Sequence, residues 1–207
     1  ILVRRPLRPV PFDTIGGAAV PEWFSSLPDR PTIYVTMGTV FNDVPGAFDS
    51  ILSGLADAPF NVIATVGPTR DPTDVGPQPP HVHVERWVPQ SLIFDSCDVV
   101  VCHGGSGTTL AALAHGVPLL LLPQGANQFA NAERCVAVGA GLMLRLEEVD
   151  GAAIREAVDR LLVTPGFRSA AQRVRREIEQ MPAPADVVPM LESLANDGVP
   201  WVVDRGT

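Results

Sequence analysis

The 207-residue sequence has no basic run, no long apolar run and no paired cysteine spacing. Each absence closes a class of function. The formal net charge is -8, with 15 Lys and Arg against 23 Asp and Glu. Neither a nucleic-acid backbone nor an anionic membrane surface finds its electrostatic partner in such a chain. No apolar stretch reaches the roughly 18 residues that a membrane-spanning helix needs. Cys97, Cys102 and Cys135 show no CxxC spacing, and three cysteines cannot all pair within one chain. That pattern fits a reducing, cytoplasmic setting with ordinary buried thiols. The opening ILVRRPLRPVPFD is basic and proline-rich and is not read as a signal peptide. The first residue is not Met, so a piece of a longer protein is expected. Disorder is excluded as well, because 46% hydrophobic residues supply a real core.

What is present alternates. Residues 1–31 carry Pro6, Pro9, Pro11, Pro21, Pro28 and Pro31 and read as an extended linker, with one short helical turn in AVPEWFSSL. Apolar strand-like runs follow at 32–37, 61–66, 81–88, 98–102, 117–123 and 141–146. Helical spacing falls between them at 45–58, 89–96, 107–115 and 127–139, the first two opening on Pro45 and Pro89. Further helices are expected at 150–163, 165–181 and 184–196, and a tail from 197 to 207. Strands alternating with helices imply right-handed crossovers and a parallel sheet. The fold class is therefore α/β, a doubly wound, Rossmann-like parallel sheet of about six strands over residues 32–196. Its ligand belongs beyond the carboxyl ends of the strands.

The fourth strand leads into HGGSGTT, positions 103–109. Its glycines let a ligand approach the backbone closely. The helix that follows offers free N–H groups and the positive end of its dipole to an anion. No Lys follows, so this is not a Walker A loop, and the glycine spacing is not that of the dinucleotide fingerprint. Around the turn stand Trp87-Val88-Pro89-Gln90, then Gly116-Val117-Pro118, then Pro123 with Asn127-Gln128 and Asn131.

In that order and spacing these elements resemble the donor-binding signature of nucleotide-sugar glycosyltransferases of the GT-B architecture. Plant members carry it as W-x-P-Q, H-C-G-W-N-S, G-V-P and P-x-x-x-D/E-Q-x-x-N. PTIYVTMGTVF (31–41) is similar to the first strand and loop of the donor-binding, C-terminal half of bacterial enzymes that glycosylate macrolides, enediynes and other natural products. The resemblance implies a role for each matching residue. Trp87 stacks on the nucleobase, the Val88 backbone pairs with its edge, and Gln90 touches the furanose. His103 binds the diphosphate, with Gly105, Ser106, Gly107 and Thr108 contacting phosphate. Gln128 and Asn127 reach sugar hydroxyls, and Gly38 and Thr39 lie near the diphosphate or sugar. It also implies an inverting transfer onto a small aglycone held by an N-terminal acceptor domain, which supplies the general base; no catalytic base is assigned here. The substrate is a dTDP- or UDP-sugar, and the motif requires no cofactor or metal. Monomer and homodimer both remain open.

Plainer roles exist for several of these residues. Trp87 can pack in a core, Gln90 can cap a helix, and His103 can be structural. Asn131, His81, His83 and His115 are read as structural, since the HVH pair has no third metal ligand near it in sequence. Two positions depart from the plant pattern. The Glu that holds ribose hydroxyls is Ala111, and the acidic residue before the Gln is Asn127; both lean towards a dTDP-deoxysugar. Two other functions fit the same residues: half of a sugar-nucleotide epimerase, and a non-catalytic nucleotide-binding module that acts with a partner chain.

Overall fold

Each apolar run becomes a strand only over the residues that pair. The computed structural model describes residues 6–10, 13, 19–38 and 46–197. The strands are β1 (Thr32–Thr36), β2 (Asn61–Thr65), β3 (Val82–Glu85), β4 (Val99–Cys102), β5 (Leu119–Leu121) and β6 (Gly141–Met143). All neighbours run parallel, in the order β3-β2-β1-β4-β5-β6. The chain thus reverses its direction of winding between β1 and β4, the switch point where open α/β sheets bind ligands. Thr36 pairs with Cys102 at the end of that junction. Gly38 and His103 therefore leave the sheet side by side.

Helices α1 (Ala47–Ala56), α2 (Gln90–Ile93), α3 (Ser106–Ala114), α4 (Gln128–Ala137), α5 (Gly151–Val163), α6 (Pro165–Glu179) and α7 (Pro184–Asp197) provide the crossovers and the carboxyl end. Because side chains alternate along a strand, β1 feeds both layers. Ile33 and Val35 pack with Phe48, Ile51, Leu55, Ile154 and Val158 on one face. Tyr34 packs with Val100, Ile93, Phe94, Leu113 and Ala171 on the other. Covering both faces is what makes the strands continuously apolar. Each fully buried Leu or Ile contributes about 1.5–3 kcal/mol.

Several boundaries differ from the sequence pattern for local reasons. Pro89 has ψ 110, an extended value, so it is the residue before α2 rather than its first turn. That helix also stops at Ile93 and tightens into a 3-10 turn over Phe94–Ser96. Helix α1 starts at Ala47 behind Gly46, whose φ of 77 is left-handed; Pro45 lies outside the described residues. β3 ends at Glu85, which leaves Trp87 in a loop.

The described part of residues 6–31 lies against the domain. The expected helical turn is the 3-10 helix Glu22–Ser26. Trp23 stacks on His83 with ring centroids 3.9 Å apart and donates to Glu85 Oε1 at 2.8 Å. Arg8 N–H donates to Pro182 O. Asp13 accepts from Ser91 N–H at 2.8 Å and from its hydroxyl at 2.7 Å. All three cysteines are free and buried, and burial pushes the Cys102 thiol up to about 12 and Cys135 up to about 11. Among the described residues, no helix is long and apolar enough to cross a membrane.

Candidate functional site

The switch point presents His103. Its imidazole fills the space between two glycines: a Cβ on Gly38 would stand 2.6 Å from Cε1, and one on Gly105 would collide with Nε2. Gly38 also has φ 84, which a side chain would strain. Burial pushes the His103 pKa below its ordinary 6.5, so the ring is neutral at pH 7. Its Nδ1 is buried without a hydrogen-bond partner among the described residues. An unpaired buried polar atom is costly, while the His103 side chain as a whole lines the smaller cleft.

Next to this ring begins α3. Gly105 precedes it without any side-chain cap. Thr109 N–H to Gly105 O, 3.0 Å, is the first bond of the helix. The N–H groups of Ser106, Gly107 and Thr108 come before it and, as in any first turn, have no acceptor within the helix. The Ser106 hydroxyl accepts from Asn127 Nδ2 at 2.8 Å and from Asn131 Nδ2 at 3.2 Å. With both lone pairs engaged, its own O–H is left to donate outward. Three N–H groups, a hydroxyl donor and a helix dipole at one point are the chemistry that suits an anion. Asn131 also donates to Gly104 O at 2.8 Å, which fixes the turn and makes this residue structural, as expected.

Two adjoining clefts share this edge. The larger, about 520 Å³, runs past Trp87, Gln90, Leu110, Ala111 and Ala114 and is bounded on its far side by Pro9, Val10 and Asp13. The smaller, about 240 Å³, is lined by Tyr34, Thr36, Gly38, Thr65, Arg86 and His103. Trp87, Gln90, Ser106, Gly107 and Thr108 border both. Trp87 is 50% exposed, so it presents an open ring rather than packing in a core. Val88 is buried among the core residues around Tyr34 and lines neither cleft, so the structure does not present the backbone contact expected of it. Gln90 does not cap α2; its Nε2 donates to Tyr34 Oη and to Thr108 Oγ1, each at 3.2 Å. The Arg86 guanidinium donates to the carbonyls of Pro68 and Arg70 and to Asp71, bracing the loop beside the smaller cleft.

Ala111 faces the larger cleft. The one carboxylate lining that cleft among the described residues is Asp13, whose two oxygens are both engaged by Ser91. Gln128 is 3% exposed, and its Oε1 accepts from Gln124 N–H at 2.7 Å and Gly125 N–H at 3.1 Å. Its observed work is to hold the 124–125 turn, and it lines neither cleft. Asn127 reaches the site through Ser106. Thr39 lies outside the described residues. His81 bonds Ala56 O, and His115 bonds Asp95 at the end of α3. Tyr34, Thr65 and Asp13 are site residues that sequence reasoning missed. Tyr34 and Thr65 read as core strand residues, and Asp13 falls in a proline-rich stretch.

The family described as Erythromycin biosynthesis protein CIII-like, C-terminal domain, matches residues 49–194. Elloramycin glycosyltransferase ElmGT of Streptomyces olivaceus is 38% identical over 195 residues, which cover 90% of this chain and 48% of that protein. The 10-deoxymethynolide desosaminyltransferase of Streptomyces venezuelae is 33% identical over 193 residues, covering 91% and 45%. Among solved structures, glycosyltransferase VinC in complex with dTDP superposes with a TM-score of 0.83 at 28% identity, covering 95% of this chain and 49% of that one. The calicheamicin glycosyltransferase CalG4 superposes at 0.77 with 33% identity, covering 83% and 45%. The chain spans about half the length of these proteins.

Proposed function

The chain belongs to the family of erythromycin biosynthesis protein CIII-like C-terminal domains, and from that premise we propose that it is the donor-binding half of an inverting glycosyltransferase. The donor is a deoxysugar on a nucleoside diphosphate, dTDP, and the acceptor is a hydroxyl of a small natural-product aglycone. The observation that carries this is the convergence of the open α3 start, the His103 side chain and the half-exposed Trp87 on one edge. An anion site and an aromatic platform side by side suit a nucleotide diphosphate. The dTDP bound to VinC, a neighbour of the same fold, supports that choice, as does the apolar Ala111 where a ribose diol would need an acceptor.

In the reaction, a deprotonated acceptor oxygen attacks the anomeric carbon while the bond from that carbon to the diphosphate oxygen breaks. The electron pair leaves on the diphosphate, and the configuration inverts. The work of this chain is to hold that leaving group. The N–H groups of Ser106, Gly107 and Thr108 and the Ser106 hydroxyl donate to phosphate oxygens, and the His103 ring adds a donor where negative charge grows. Gln128 acts on the sugar by fixing the 124–125 turn, and Asn127 acts through Ser106. The general base and the acceptor pocket belong to the other half of the two-domain enzyme, and no metal is needed. The test is a transfer assay with a dTDP-deoxysugar and an aglycone, on this chain alone and on the chain joined to an acceptor domain. Transfer is expected only from the joined form. Turnover by this chain alone would overturn the assignment of the base to the other half.

A further inference from the structure

We propose that Tyr34 is a positioning residue, setting the Gln90 amide so that its carbonyl faces the cleft and reads one furanose hydroxyl as a donor. This rests on the nucleoside diphosphate reading above. Tyr34 is the chain's single tyrosine and lies in the middle of the central strand, 1% exposed. Its ring is fixed edge-on against Phe94, centroids 5.2 Å apart, so its hydroxyl has one position. That hydroxyl meets Thr65 Oγ1 at 2.9 Å and accepts from Gln90 Nε2 at 3.2 Å. The second Gln90 amide proton goes to Thr108 Oγ1 at 3.2 Å.

An amide nitrogen has two protons and accepts nothing. With both protons engaged inward, the nitrogen has nothing further to offer a ligand. Oε1 remains, and no donor among the described residues reaches it. Gln90 borders both clefts beside Trp87 and Thr108, between the aromatic platform and the anion site. A nucleoside diphosphate lying between them places its furanose there. A 5′-linked 2-deoxyribose has a single free hydroxyl, the 3′, and Oε1 can only accept from it. A 3′ group that accepts without donating leaves Oε1 unpaired. Thr65, which partners Tyr34 but lines only the smaller cleft, extends the same control one residue further from the ligand.

Calorimetric titration of the native chain with thymidine diphosphate and with its 3′-fluoro-3′-deoxy analogue tests this. The fluoro compound keeps the size of the group and removes its proton. The native chain is expected to prefer the hydroxyl compound by about tenfold, the worth of one hydrogen bond in a partly desolvated site. Tyr34→Phe keeps the ring and deletes the hydroxyl. It should shrink the preference to within about threefold, through weaker binding of thymidine diphosphate with little change for the analogue. Gln90→Leu should erase the preference. Loss of a merely structural bond would weaken both ligands alike, so an unchanged ratio in Tyr34→Phe overturns the positioning role. Equal affinity of the native chain for the two ligands, or an undiminished ratio in Gln90→Leu, overturns the hydroxyl readout. A native chain that binds no thymidine diphosphate sinks the nucleotide reading and this inference together, whereas binding without discrimination sinks the inference alone.

Discussion

A Cβ on Gly38 would stand 2.6 Å from Cε1 of His103. The histidine at the end of one strand is thus seated by the glycine at the end of its neighbour, and Gly105 closes the other side. Gly38→Ala and Gly105→Ala should each displace the ring, destabilise the domain by about 1–3 kcal/mol and weaken nucleotide binding more than tenfold. Gly107 has nothing within 4 Å of where its Cβ would be. Gly107→Ala should melt within about 0.5 kcal/mol of the native chain while losing affinity through crowding of the phosphate. Thermal unfolding and titration of the three variants separate these outcomes.

The neutral state of His103 sets a pH dependence. Burial holds its folded-state pKa below 6.5, so the unfolded chain takes up a proton first as pH falls. Stability is full above about pH 6.5 and declines as pH drops towards the folded-state value. Burial lowers His83 as well, giving a decline of the same sign, so the His103 share is the difference between the native chain and His103→Gln. A diphosphate beside the ring favours the imidazolium. Binding near pH 6.5 should therefore draw more protons in the native chain than in His103→Gln, as read by calorimetry in buffers of different ionisation enthalpy.

Position 111 should sort the nucleotides. With Ala111 lining the cleft, the 2′-hydroxyl of UDP loses water without gaining a partner, and dTDP should bind more tightly by roughly 1 kcal/mol. Ala111→Glu restores an acceptor for the ribose diol and should narrow or reverse that order. Equal affinities, unchanged in the variant, would remove the case for a deoxyribose preference.

Asp13 is positioned to secure the segment that walls the larger cleft. Asp13→Ala frees Ser91 N–H near the start of α2 and should cost roughly 1 kcal/mol. Asp13→Asn keeps an acceptor and should recover part of it. Chemical denaturation gives the energies, and faster proteolysis ahead of Pro21 reports release of the segment. An unchanged midpoint and an unchanged cleavage rate in Asp13→Ala would show that the latch contributes nothing.

The fold was legible because its signals are local. Strand runs such as VVVC and LLLL and the helical spacing between them name each element without reference to the others. The glycine-rich turn was legible for the same reason, since HGGSGT is one strand end and one helix start. What connects the site was not. Tyr34 and Gln90 are 56 positions apart, and Asp13 and Ser91 are 78 apart. TIYVT reads as core strand because it is one; only the parallel register shows that its tyrosine hydroxyl emerges at the cleft. Gln128 shows the converse. Its motif position implied a ligand contact, yet the tight turn before α4 needs an internal acceptor and Oε1 provides it.

The central claim is that this chain holds a nucleoside diphosphate between Trp87 and the start of α3. Titration of dTDP into the native chain and into Trp87→Ala tests it most directly. The claim predicts saturable one-to-one binding by the native chain. Trp87→Ala should weaken it by about tenfold or more, the worth of one aromatic–base stack, with the melting temperature of the free variant little changed because the ring is half exposed. No heat at millimolar dTDP, or equal affinity in Trp87→Ala, would contradict it.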